Sequence, residues 1–124
     1  MIVTEAGTLD LEDADVAAVR RDGDEIRIVF SNAHVTRQGS GVSEVCSVEL
    51  LLSGVKSEAV HCYVGAGITA PHPNPALPLD FVQVFSYERG TLNLQGMLAD
   101  EPWYEWEIVV EHVAFRSKAH DGLA

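Results

Sequence analysis

Three carboxylates and a tryptophan carry the first candidate chemistry. Glu105, Glu107 and Glu111 recur along "PWYEWEIVVEHVAF", with Trp103 just ahead of them. Paired carboxylates perform glycosidic acid–base chemistry when a cleft holds them at a defined separation. On a single strand, residues two apart are spaced by about 6.5 to 7 Å and project from the same face. Here Glu105, Glu107 and Glu111 line one face, so the expectation is a solvated acidic stripe. Trp103 falls on the acidic side of the alternation and Trp106 on the apolar side. An exposed tryptophan beside a charged stripe suits a protein interface, where tryptophan is enriched.

Histidines and cysteines offer a second set. His61, Cys62 and His72, together with Cys46, carry the donor types of a zinc site. Zinc sites rely on closely spaced C-x-x-C or H-x-x-x-H pairs, and neither spacing occurs. No metal is expected. His61 and His72 flank or lie within a proline-rich loop and remain candidates for contacting a small ligand. His112 falls on the apolar face of its segment, where a hydrogen-bonded core histidine is expected.

The stretch Gly65-Ala66-Gly67-Ile68-Thr69-Ala70 fits the G-x-G-x-x-A form of the dinucleotide fingerprint. That motif works only if a helix starts within it, because the helix N-terminus holds the pyrophosphate. Pro71, Pro73, Pro75 and Pro78 follow at once, and each disfavours helix at and before its own position. The match is a coincidence, and no cofactor is expected. Serines and histidines lack a frame such as G-x-S-x-G to pair them. "RDGDE" lacks the ligand spacing of a calcium loop. No catalytic residue is assigned, and the balance leans away from an enzyme.

The elements that must position these residues read as strands. "EIRIVF" alternates Ile26, Ile28 and Phe30, and "SEVCSVELLL" alternates Cys46, Val48, Leu50 and Leu52. "DFVQVFSYE" sets Phe81, Gln83, Phe85 and Tyr87 opposite Val82 and Val84. "TLNLQGML" sends Leu92, Leu94 and Leu98 inward, and the last strand sends Trp106, Ile108, Val110, His112 and Ala114 to one face. Asp22-Gly23 marks a hairpin turn, and Arg89-Gly90 separates "DFVQVFSYE" from "TLNLQGML". A second hairpin around Ser53-Gly54-Val55 would set Cys46 opposite Cys62 or, with a two-residue turn, opposite His61. In a reducing compartment both thiols are expected to be free. Residues 10–22 fit either a strand paired across the Asp-Gly turn or a short helix capped by Asp10, and the strand is favoured by the symmetry of the turn.

Bulk properties narrow the function. The 124 residues suit one domain, 1–124, of mainly β structure: an antiparallel β-sandwich or small barrel, with a short N-terminal helix as the competing detail. Nineteen acidic against eight basic residues give a formal net charge of -11. Such a field repels nucleic-acid phosphates and anionic membrane surfaces. The start of the chain shows no signal-peptide pattern, and no apolar run approaches the roughly 20 residues of a membrane helix, so a soluble cytoplasmic protein is expected. The leading functional expectation is a non-catalytic interaction module. Its acidic face, formed by Glu105, Glu107 and Glu111 with Trp103, docks a basic protein; a homo-oligomer would use the same features. The competing expectation is a small-ligand-binding barrel or enzyme that uses the covering loop 65–79 with His61 and His72.

Overall fold

A computed structural model describes residues 1–4, 7–65, 68–70, 77–98 and 101–117, with side chains described over 1–4, 7–62, 77–98 and 103–117. Among the described residues, period-two alternation accompanies nine strands: β1 (Ile2–Thr4), β2 (Gly7–Asp10), β3 (Asp15–Asp22), β4 (Glu25–Arg37), β5 (Ser43–Gly65), β6 (Ile68–Ala70), β7 (Phe81–Glu88), β8 (Thr91–Leu98) and β9 (Glu101–Ser117). Every pairing is antiparallel. The order β4-β3-β7-β8-β9-β5 closes on itself through β4–β5, forming a six-stranded barrel. Closure removes the exposed edges that an open sheet would present. Strands β1 and β2 continue along β4 beyond the reach of β3, and β6 folds back on the end of β5.

Among the described residues there is no helix, and the N-terminal helix alternative gives way to strands. The features that suggested a helix have local uses instead. Asp10 accepts from the backbone N–H of Glu12 at 3.0 Å in a tight turn, the same capping chemistry placed between strands. The following apolar residues join β3, which pairs with β4 across the turn as the strand reading expected. Where the dinucleotide fingerprint would need a helix to begin, Ile68–Ala70 is a strand paired with β5.

The interior is a filled core. Ile26, Ile28, Phe30, Val48, Leu50, Leu52, Leu92, Leu94, Trp106 and Ile108 are all buried, as their alternation requires. Gly96 lets β7 and β8 approach closely, since a Cβ there would overlap the carbonyl of Phe81. The largest departure from the sequence expectation is β5. Ser53-Gly54-Val55 makes no hairpin: Gly54 takes φ +69 and redirects a strand that continues to Gly65. The first part of β5 pairs with β4 and the later part with β9, so the long strand joins both sides of the barrel wall.

That continuity corrects the cysteine pairing. Cys46 lies opposite Ala33, and Cys62 lies opposite Tyr104 and Ala70. At about 3.3 Å per residue along one strand, they are far beyond the roughly 4.4 to 6.8 Å between Cα atoms that a disulfide spans. Both thiols are free. His112 is likewise corrected: it is exposed. Alternation on β9 holds through Val110 and then shifts where β9 passes Gly54, so Phe115 rather than Ala114 returns to the core. On β7, a bulge at Gln83 moves Phe85 to the interior beside Val82 and turns Val84 outward.

Candidate functional site

The outer face of β5, β9 and β8 brings together residues that the sequence placed in two separate hypotheses. Alternation in "TLNLQG" buries Leu92 and Leu94, so Asn93 and Gln95 face outward. Alternation in "WYEWE" buries Tyr104 and Trp106, so Trp103, Glu105 and Glu107 share that outer side. The register then sets His61, Glu105 and Gln95 in one row across three strands. Ala59, Glu107 and Asn93 form the next row.

Within these rows the polar groups bind one another. Asn93 Nδ2 donates to Glu105 Oε2 at 2.8 Å, and Gln95 Nε2 donates to the same oxygen at 3.3 Å and to Asn93 Oδ1 at 3.0 Å. Trp103 Nε1 donates to Gln95 Oε1 at 3.2 Å, which leaves the half-buried indole in a fixed orientation. A charged carboxylate accepting from two amides forms bonds stronger than neutral pairs. Glu105 therefore departs from the solvated stripe: its side chain is 17% exposed. His61 stands on its other side, with Nδ1 4.0 Å from Glu105 Oε1. That nitrogen is buried and has no hydrogen-bond partner among the described residues, although the imidazole as a whole is 44% exposed.

Glu107 and Glu111 behave differently. Both are exposed, and neither has an ion-pair partner among the described residues. Glu111 lies across Gly54, where the absence of a side chain leaves room for its methylenes. Most other carboxylates in ion pairs have an arginine: Glu25 with Arg27, Glu44 with Arg37, Glu49 with Arg116 and Glu58 with Arg21. Glu107 and Glu111 thus face solvent with no cationic partner among the described residues.

No family model, no curated protein and no solved structure matches this chain. Geometry alone must carry the reading. The row His61–Glu105–Gln95 contains no serine, threonine or cysteine, and Glu105 and Glu107 project side by side rather than across a cleft. Among the described residues, no group of three or more His, Cys, Asp or Glu is arranged to hold a metal ion, and no helix is long and apolar enough to cross a membrane. His72 and most of loop 65–79 lie outside the described residues; Leu77 is half-buried, and Pro78 and Leu79 are buried. The barrel interior that a small-ligand reading would use is occupied by Trp106, Phe30 and the leucines. Two hollows lie on the outside of the barrel, one of about 140 Å³ at Arg20, Asp22, Glu25 and Arg27, the other of about 250 Å³ at Leu51, Ser53, His112 and Ala114.

The sequence reading missed Asn93, Gln95 and Glu58. Amides at every second position of an apolar strand were the available signal for the first two. Glu58 had none, because its partners are far away in sequence. Its carboxylate accepts from Trp106 Nε1 at 2.8 Å and from Arg21 Nε and Nη2 at 3.0 and 2.6 Å.

Proposed function

We propose that the protein is a non-catalytic interaction module that docks a basic partner on the outer face of β8 and β9. The observation that carries this reading is the contrast in pairing: Glu107 and Glu111 are exposed with no ion-pair partner among the described residues, whereas Glu49 and Glu58 are held closely by Arg116 and Arg21. Free carboxylates on a rigid strand steer a cationic surface and fix its orientation on arrival. The amide network supports the same reading by holding Trp103 and Glu105 at one end of the acidic surface, so little side-chain entropy is lost on docking. The net charge of -11 extends the attraction beyond the contact itself.

A labelled arginine-rich peptide titrated with the protein at low and at 0.5 M salt tests the proposal by fluorescence anisotropy. The expected result is saturable binding that salt weakens, and that Glu107→Gln with Glu111→Gln weakens while Asp22→Asn does not. Equal weakening by all these variants would mean that only net charge is being read, and would remove the assignment to this face.

A further inference from the structure

A second surface, on the outer side of β3 and β4, has a charge layout that net charge does not explain. Arg20 on β3 stands directly opposite Arg27 on β4, and one row away Asp22 stands directly opposite Glu25. All four residues are exposed and line one hollow of about 140 Å³. Like charges directly opposed across an antiparallel ladder destabilise it, and here the arrangement occurs twice in succession. Internal pairing offsets little of it. Arg27 Nη2 lies 3.9 Å from Glu25 Oε1, the long end of an ion pair between half-exposed groups, and Arg20 and Asp22 have no ion-pair partner among the described residues.

We infer that this face is a two-fold interface between copies of this chain. A row of two cations beside a row of two anions is self-complementary. Place a two-fold axis in the plane of contact, running across the strands midway between the rows. Each arginine row then meets the acidic row of its mate. The rows lie two residues apart along the strands, about 6.5 to 7 Å, so one operation aligns all four side chains of each copy. A contact of this kind is isologous and closes as a dimer without propagating. The surface continues into apolar ground: Arg27 is opposite Leu51, and Leu51 is opposite Ala114. Leu51, Val113 and Ala114, with His112 and Ser53, form the adjoining hollow of about 250 Å³, which the mate would cover. The four charges sum to zero at the contact, so the strongly acidic molecule meets itself at a neutral patch. Glu107, Asn93 and Gln95 line neither hollow, so the two proposals are tested by different side chains.

Charge reversal with complementation tests the interface. Light scattering after size-exclusion chromatography is run over a concentration series on wild type, on Arg20→Glu/Arg27→Glu, on Asp22→Arg/Glu25→Arg, and on an equimolar mixture of the two variants. Circular dichroism checks that each variant is folded. The expected result is a wild-type dimer, a dissociation constant raised about tenfold or more in each variant alone, the scale set by like-charge juxtaposition, and a dimer restored in the mixture. A monomeric wild type at every concentration overturns the inference. So does a dimer indifferent to both reversals, or two monomeric variants whose mixture stays monomeric.

Discussion

Trp103 and Trp106 lie three positions apart on one strand, on opposite faces, and each donates its indole N–H to a side chain. Trp106 is fully buried, and its acceptor is Glu58, a carboxylate gripped by both ends of the Arg21 guanidinium fork. Arg21 also lies over the indole, 5.8 Å from the ring centroid. Trp103 is half-buried, and its acceptor is Gln95, whose own amide is shared between Asn93 and Glu105. The first arrangement encloses a large apolar group and must satisfy its one polar atom, because an unpaired buried donor costs about 1 to 3 kcal/mol. The second keeps an aromatic surface oriented at the boundary with water. The same residue type is thus enclosed in the core on the inner face and held half-buried by an amide on the outer face, and the difference follows from strand alternation.

Substitutions sharpen that contrast in order of size. Trp106→Ala empties the centre of the core and is expected to cost about 3 to 5 kcal/mol, a large part of the roughly 5 to 15 kcal/mol that holds such a domain together. Chemical denaturation measures it, and a loss below 1 kcal/mol would place the core elsewhere. Glu58→Ala removes the acceptor of the buried Trp106 N–H and the carboxylate paired with Arg21, with an expected cost of about 1 to 3 kcal/mol. Unchanged stability would mean that water satisfies both donors. Gln95→Ala removes the acceptor of Trp103 and one donor to Glu105 at a cost of about 1 kcal/mol. Its clearer readout is tryptophan emission, expected to shift to the red as the Trp103 indole gains freedom; an unshifted spectrum would show that the hydrogen bond does not hold the ring. Glu107→Gln with Glu111→Gln is expected to leave the thermal midpoint unchanged and to alter only binding to cations. A shifted midpoint would show that these acids serve the fold.

Much of the barrel was legible because apolar residues mark the inner face directly. Ile26, Ile28, Phe30, Val48, Leu50, Leu92, Leu94, Trp106 and Ile108 all followed from period-two reading. Turn chemistry located the β3–β4 connection, which closes at Gly23. What failed were places where a strand changes its own rule. Gly54 in the left-handed region is compatible with a hairpin or with a bend in a continuing strand, and only pairing with β9 chooses the bend. His112 was misplaced by the same event, and Phe85 by the bulge at Gln83. For the candidate site, Trp103, Glu105 and Glu107 were assigned correctly to one side of β9. Their meeting with His61 was not legible, since it depends on the register between β5 and β9 that the mistaken hairpin replaced. The Arg21–Glu58–Trp106 contact was hidden for a plainer reason: pairwise side-chain contacts between distant segments leave no periodic trace.

The central claim is that recognition belongs to the outer face of β8 and β9 and cohesion to the inner one. Backbone amide NMR shifts, followed while an unlabelled arginine-rich peptide is added at low salt, test it most directly. The account predicts shifts concentrated in residues 91–95 and 103–111, with those of β3 and the β3–β4 turn unmoved. Shifts spread evenly over every exposed carboxylate, or centred on Asp22 and Glu25, would contradict it.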